Sequence, residues 1–329
     1  MAESFAFPNS TSLPLFRRRP LVVSWFLLVD VAALISAVFY ILVIAVLIRY
    51  RTSKFPNTFY TLMASMGVAD VIVLLIHFTF ITPAALFKQN NLNGGYMMFW
   101  SFLWECVNNV SSAHIPFVAI NRLLAVYKPS TYENYFSRSK LFGIIGFCWV
   151  FQVVFTSVYY YCTYFVHIPS LVYAVYLEKD SCAEVIIKLR TAEDGLVIFP
   201  SLAINVATFL RVRSVGSKIS QTSEVQARRE RKLALQFGAI FVVFVLMASA
   251  FWVVQFLKEV SAENQELLEL WLLTMFTVHS AINPFLLAAL GSDLKQTLLA
   301  LFNPGGSGTT EVITVGSTSN VAAAASGPN

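Results

Sequence analysis

The chain has 329 residues, 57% of them hydrophobic and only 12% charged, with a formal net charge of +5. Soluble domains carry about a quarter charged residues, so this composition excludes an ordinary water-soluble fold. The apolar residues fall in blocks of the ~17–25 residues needed to cross a hydrocarbon core about 30 Å thick, which makes the chain a membrane protein.

Residues 1–20 precede the first block and lack the apolar core of a cleaved signal peptide, so the first helix is expected to serve as its own signal. Asn9-Ser10-Thr11 is a glycosylation sequon, which makes Asn9 a candidate acceptor if this end is outside. A second match, Asn109-Val110-Ser111, falls inside a membrane block and is discounted. Seven blocks follow, spanning residues 21–290. The first, 21–47, is interrupted by Asp30, and the second, 59–81, carries Asp70 and His77. The third, 99–119, holds Glu105 with several amides and hydroxyls. The fourth is 141–166. The fifth, 195–210, is the weakest, and apolar residues at 185–189 hint at an earlier start. The sixth is 233–257 and the seventh 267–290. Continuous apolar runs of this length read as helices, because barrel strands alternate at every second residue. An all-α, seven-helix membrane bundle is expected. Beyond it Leu294, Leu298, Leu301 and Phe302 share one face of a short helix over 291–302, which is expected to lie along the membrane surface. Residues 303–329 are rich in Gly, Ser, Thr and Ala, the composition of a disordered tail.

Lysine and arginine concentrate on the cytoplasmic side of membrane proteins. With the N-terminus outside, the cytoplasmic segments hold 15 of the 23 basic residues and the outer segments 8. The acids Glu178, Asp180, Glu184, Glu193 and Asp194 then cluster in one outer loop, so the N-terminus is placed outside and the C-terminus in the cytoplasm.

Arg122 ends a run of sixteen residues, 106–121, without Asp, Glu, Lys or Arg. This topology puts it at the cytoplasmic mouth of the third helix, where it either snorkels to lipid phosphates or meets a docking partner. Its surroundings, "NRLLAVYKPSTY", resemble the end of the third helix and the second inner loop of rhodopsin-like G-protein-coupled receptors, through Arg122, Ala125, Val126, Pro129 and Tyr132. Asn121 stands where most of that family has an acid. Further along, "LMASMGVADVIV" resembles the second helix with its buried acid Asp70, and Trp149, Pro200, Phe251-Trp252 and "AINPFLLAAL" resemble signatures of helices four to seven. Val254 and Leu287 depart from the usual proline and tyrosine. "SKFPNTFYTLMASMGVAD" with "INRLLAVYKPSTYENYFS" resembles the nematode serpentine chemoreceptors, in the group containing classes gamma, v, x and t.

The resemblance implies a receptor that binds an extracellular small molecule or peptide and activates a heterotrimeric G protein within the lipid bilayer, with no nucleic acid as partner and no enzymatic activity. Coupling would involve Arg122, Pro129, Tyr132 and the basic third inner loop with Arg211, Arg213, Arg228 and Arg229. Asp70, Ser111, Ser280 and Asn283 match positions that surround an allosteric sodium ion, the single cofactor considered. One carboxylate with neutral oxygens suits a hard cation, and a proton-shared packing network is the alternative. Glu105, Asn108, Asn109 and Ser112, at i, i+3, i+4 and i+7, form a polar stripe that faces the bundle interior. Its functional reading is a ligand pocket with Trp252 as floor and the seventh helix, with His279, as far wall, Gln255 being a further ligand-binding candidate; its structural reading is interhelical hydrogen bonding. The family's bridge from the third helix to the second outer loop would need a cysteine near Met97. Cys182 lies in that loop, but Cys106 is too deep, and the sequence supports no specific disulfide. A retinal protein would need a lysine in the seventh block, which has none. A seven-helix transporter or ligand-gated channel is the remaining alternative, although no inverted repeat is visible.

Overall fold

A computed structural model describes residues 20–50, 58–83, 94–128, 131–163, 165–168, 173–176, 181–215, 235, 238–249, 253 and 262–302. Its helices are α1 (Pro20–Arg49), α2 (Thr58–Ile76), α3 (Gly94–Tyr127), α4 (Arg138–Thr163), α5 (Ser181–Val215), α6 (Gly238–Ser249), α7 (Ala262–Leu290) and α8 (Ser292–Phe302). A π-helical turn, His77–Ile81, continues α2. A proline opens α1, where its missing N–H has no intrahelical partner to lose. Pro116, Pro200 and Pro284 lie inside α3, α5 and α7. Each deletes one backbone hydrogen bond, which membrane bundles tolerate when neighbouring helices and side chains satisfy the freed carbonyl.

Among the described residues, five stretches are individually long and apolar enough to cross a bilayer: Ser24–Arg49, Thr58–Ile81, Met98–Tyr127, Arg138–Cys162 and Lys188–Arg211. Parts of α7 and α8 meet the test together but are bent by 90°. Gly291 sits at that bend. A Cβ there would lie 2.6 Å from the Leu287 carbonyl oxygen of the preceding turn, so glycine is what lets the backbone turn this tightly between the two helices. Of the apolar face expected on α8, Leu294 and Leu298 are buried in the bundle's core while Leu301 is exposed. The helix is thus partly docked on α1 and α7 rather than wholly at the surface.

The largest difference from the sequence reading is at α5. Residues 181–194, read as outer loop, form the first turns of a 35-residue helix. The apolar residues at 185–189 hint at this earlier start, but five charged residues keep the stretch from reading as a membrane block; Arg190 pairs with Glu193 at 3.0 Å and Asp194 at 3.8 Å, spacings that adjacent helical turns supply. Between α4 and α5 lies a two-stranded antiparallel hairpin, β1 (Phe165–Ile168) and β2 (Tyr173–Tyr176), in the register Phe165 with Tyr176. It packs on α3. Cys162 and Cys182, with Cα atoms 5.5 Å apart, form a disulfide that ties the end of α4 to the start of α5 across this hairpin. Helix α3 is the axis of the fold and packs against α2, α4, α5 and the hairpin.

Tyr40 of α1 and Gly67 of α2 illustrate how closely the first two helices approach. The Tyr40 ring is fully buried, and a Cβ at Gly67 would lie 2.5 Å from its Cε2. That approach lets the phenol donate to Asp70 at 3.3 Å. Gly67→Ala is expected to displace the ring, break this hydrogen bond and lower stability by about 1–3 kcal/mol, the usual cost of overpacking. Tyr40→Phe, which removes only the hydroxyl, should cost less. Thermal unfolding of both purified variants checks the order, and equal midpoints for Gly67→Ala and the parent would show that the ring yields freely.

Candidate functional site

Hydrocarbon offers no hydrogen bonds, so buried polar side chains in a bundle find one another. Here they gather at three levels along α3.

At the first level, Glu105 and Asn109 lie one turn apart, and Asn109 donates to Glu105 at 3.2 Å. Arg190 of α5 enters the same space. It pairs with Glu105 at 3.3 Å and donates to the Asn109 side-chain oxygen. Glu193 is held by Arg190 and also accepts from Gln152 of α4. Asn108 is buried, and Ser112 donates back to the Asn108 carbonyl at 3.2 Å. Among the described residues the expected stripe is therefore partnered by Arg190 of α5, which Glu193 holds and Gln152 of α4 supports in turn. Sequence reasoning missed Arg190, Glu193 and Gln152. The three charged residues that gather with Glu105, namely Arg190, Glu193 and Asp194, lie 85–89 positions from it in the sequence, and only the arginine's spacing to its two acids is visible there.

At the second level, Asp70 is fully buried and accepts four hydrogen bonds. Ser111 donates at 2.8 Å and Ser280 at 3.2 Å to Oδ1, and Asn283 at 2.8 Å and Tyr40 at 3.3 Å to Oδ2. The three residues expected around Asp70 meet there, and Tyr40 is an addition. A buried phenol needs a partner, which is the signal that could have found it. The carbonyl oxygen of the Asn283 amide is buried without a hydrogen-bond partner among the described residues. His279, next to Ser280 in the chain, is buried with both ring nitrogens in the same condition, its ring 5.7 Å from that of Phe244.

At the third level, Arg122 is buried, only 2% exposed. Its Nε and Nη2 donate to the side-chain oxygen of Asn121 at 3.2 and 2.7 Å, and its guanidinium lies 4.2 Å from the Phe59 ring centroid. Asn121 in turn donates to Thr58 at 2.9 Å and to Tyr132 at 2.8 Å, and those two hydroxyls bond each other. The guanidinium thus points into the bundle, not outward to lipid phosphates, and its acceptor is the neutral Asn121, which stands where most rhodopsin-like receptors have an acid. Arg211 lies on α5 with its guanidinium 5.4 Å from the Tyr127 ring centroid. Arg213 lies on the same helix. Pro129, Arg228, Arg229, Trp252, Gln255 and Asn9 lie outside the described residues.

Two further polar groups tie helices together. Asp30 of α1 accepts from Thr82 at 2.8 Å and contacts His77 Nδ1 at 3.0 Å, so the ionisable interruption of the first block partners one of the two in the second. Ser65 of α2 meets Trp149 Nε1 at 3.1 Å and His114 Nε2 at 3.0 Å.

The model of the family described as serpentine type 7TM GPCR chemoreceptor Srv matches residues 31–303. Among solved structures, the crystal structure of squid rhodopsin superposes with a TM-score of 0.69 at 16% identity, covering 86% of this chain and 85% of that one. At that identity the likeness establishes the seven-helix fold alone. A search of curated proteins finds no significant match. Neither match supports the transporter or channel alternative. With the family model spanning most of the chain and the fold agreeing, the chain belongs to the Srv family of serpentine-type, seven-transmembrane G-protein-coupled chemoreceptors, multi-pass membrane receptors rather than enzymes.

Proposed function

We propose that the chain lies with its N-terminus outside, takes up an extracellular small molecule or peptide against Glu105, Asn108, Asn109 and Ser112, and signals to a heterotrimeric G protein through Arg122 and Tyr132. The observation that carries this reading is that one unbroken 34-residue helix, α3, bears both sites. Glu105 and Arg122 are seventeen positions apart, a rise of about 25 Å at 1.5 Å per residue, so a shift of α3 at one end is delivered to the other. His279, Trp252 and Gln255 complete the ligand side, and Pro129 with the basic stretch through Arg211, Arg213, Arg228 and Arg229 the coupling side.

Midway, Asp70, Ser111, Ser280 and Asn283 would hold a sodium ion. The residues fit it: a carboxylate, two hydroxyl oxygens and the unpartnered Asn283 amide oxygen give a hard cation oxygen ligands. Bound there, sodium would favour one packing of α2, α3 and α7 over another.

An epitope tag at the N-terminus should be accessible on intact cells, with glycosylation at Asn9, and a C-terminal tag only after permeabilisation. In the same cells, membranes carrying the receptor should accelerate nucleotide exchange on at least one heterotrimeric G protein when extracts rich in small molecules are added. The reverse tag pattern, or no exchange across a full G-protein panel, sinks the proposal.

A further inference from the structure

The space where Arg190 meets α3 and α4 contains three carboxylates, Glu105, Glu193 and Asp194, around one guanidinium. Their side chains are between 13% and 27% exposed, so the group is sheltered yet reachable. Negative groups exceed positive ones in this ion-pair cluster. Three carboxylates share one guanidinium, and Asp194 sits farthest from it, at 3.8 Å. Gln152 supplies an independent sign. It is 1% exposed, its amide nitrogen donates to Glu193, and its amide oxygen is buried without a hydrogen-bond partner among the described residues. Turning the amide over would set its oxygen against the carboxylate, so the orientation is dictated by chemistry, and the acceptor remains to be filled.

Resting on the ligand-pocket reading above, we infer that the ligand carries a cationic group with several N–H donors, a protonated amine or a guanidinium-like group, which binds between α3, α4 and α5 and competes with Arg190 for the acids. Arg190 is then a tethered occupant: its guanidinium holds Glu105 and Asn109 until a ligand cation takes a share of those oxygens. An anionic ligand would have to strip Arg190 from three carboxylates, and a neutral one would leave the charge excess uncorrected.

The test uses the purified full-length receptor in lipid nanodiscs and four probes of similar size: propylguanidinium, propylammonium, propanol and propionate. Thermal unfolding and G-protein nucleotide exchange are read for each. The two cations should raise the unfolding midpoint at concentrations at least tenfold below propanol, and propionate should not. Glu193→Gln with Asp194→Asn should weaken the cations at least tenfold. Arg190→Gln should strengthen them at least tenfold by removing the tethered competitor, and if that variant does not fold, Arg190→Lys and the double acid variant decide. Equal potency of propanol and propylammonium, or no effect of neutralising the two acids, overturns the inference. If neutral ligands nevertheless act and Glu105→Gln shifts their potency, the pocket stands and only its cation selectivity falls. If neither Glu105→Gln nor Asn109→Ala moves any probe, the pocket reading falls with it.

Discussion

Arg122→Ala is expected to abolish agonist-stimulated nucleotide exchange while surface level and ligand binding stay within a few-fold of the parent. The guanidinium is buried by Phe59 and held by Asn121, which is itself fixed by Thr58 and Tyr132. These contacts join the start of α2, the end of α3 and the turn that follows; on the proposed orientation and coupling role they would hold the cytoplasmic ends together at rest and would have to open for the arginine to reach a G protein. Truncation removes the group that is released, not the groups that keep it in place. Equal loss of surface expression would assign Arg122 a purely structural role.

Asn121→Asp tests the same device from the other side. The substitution puts a charge where an amide oxygen now lies 2.7 Å from the guanidinium. Thr58 and Tyr132 can adapt, because a hydroxyl donates as readily as it accepts. Two unit charges about 4 Å apart attract by roughly 4 kcal/mol at an effective dielectric near 20, and desolvation offsets much of this. A remainder of about 1.4 kcal/mol is a factor of ten. Basal exchange should therefore fall by about that factor, and an unchanged basal rate would show that the resting state is held elsewhere.

Asp70→Asn should leave ligand contacts intact and remove any dependence of agonist affinity on sodium. In the parent, replacing sodium by an impermeant organic cation should raise agonist affinity, because an ion that prefers the resting packing opposes a ligand that prefers the active one. Coupling between sites typically amounts to about 5–150-fold, and the same factor must appear as weaker sodium binding in the presence of agonist. Competition binding in the two salts, for the parent and for Asp70→Asn, measures it. Absence of a sodium effect in the parent would remove the ion. The four hydrogen bonds to Asp70 would then be a packing network linking α1, α2, α3 and α7.

Much of this receptor is legible in its sequence because the bilayer imposes length. A block such as 21–47 or 141–166 is long and apolar enough to name a crossing helix without reference to the rest of the chain. Asp70 stood out for an equally simple reason, since an isolated acid in a membrane block is costly, and Ser111, Ser280 and Asn283 could be attached to it through the family resemblance. Rotation of each helix about its own axis is another matter. Val38 on α1 is 62% exposed and Phe199 on α5 72%, yet both are as apolar as the fully buried Met63 or Ile115. Lipid and protein core make the same demand, so apolar periodicity does not say which face turns inward. The contacts that depend on rotation were accordingly decided only by the tertiary structure: Arg190 with Glu105 and Asn109, Tyr40 with Asp70 over Gly67, His77 with Asp30, and Cys162 with Cys182. Each joins residues whose separate positions are plain in the sequence and whose directions are not, because a side chain's direction in a bundle is fixed by how neighbouring helices pack.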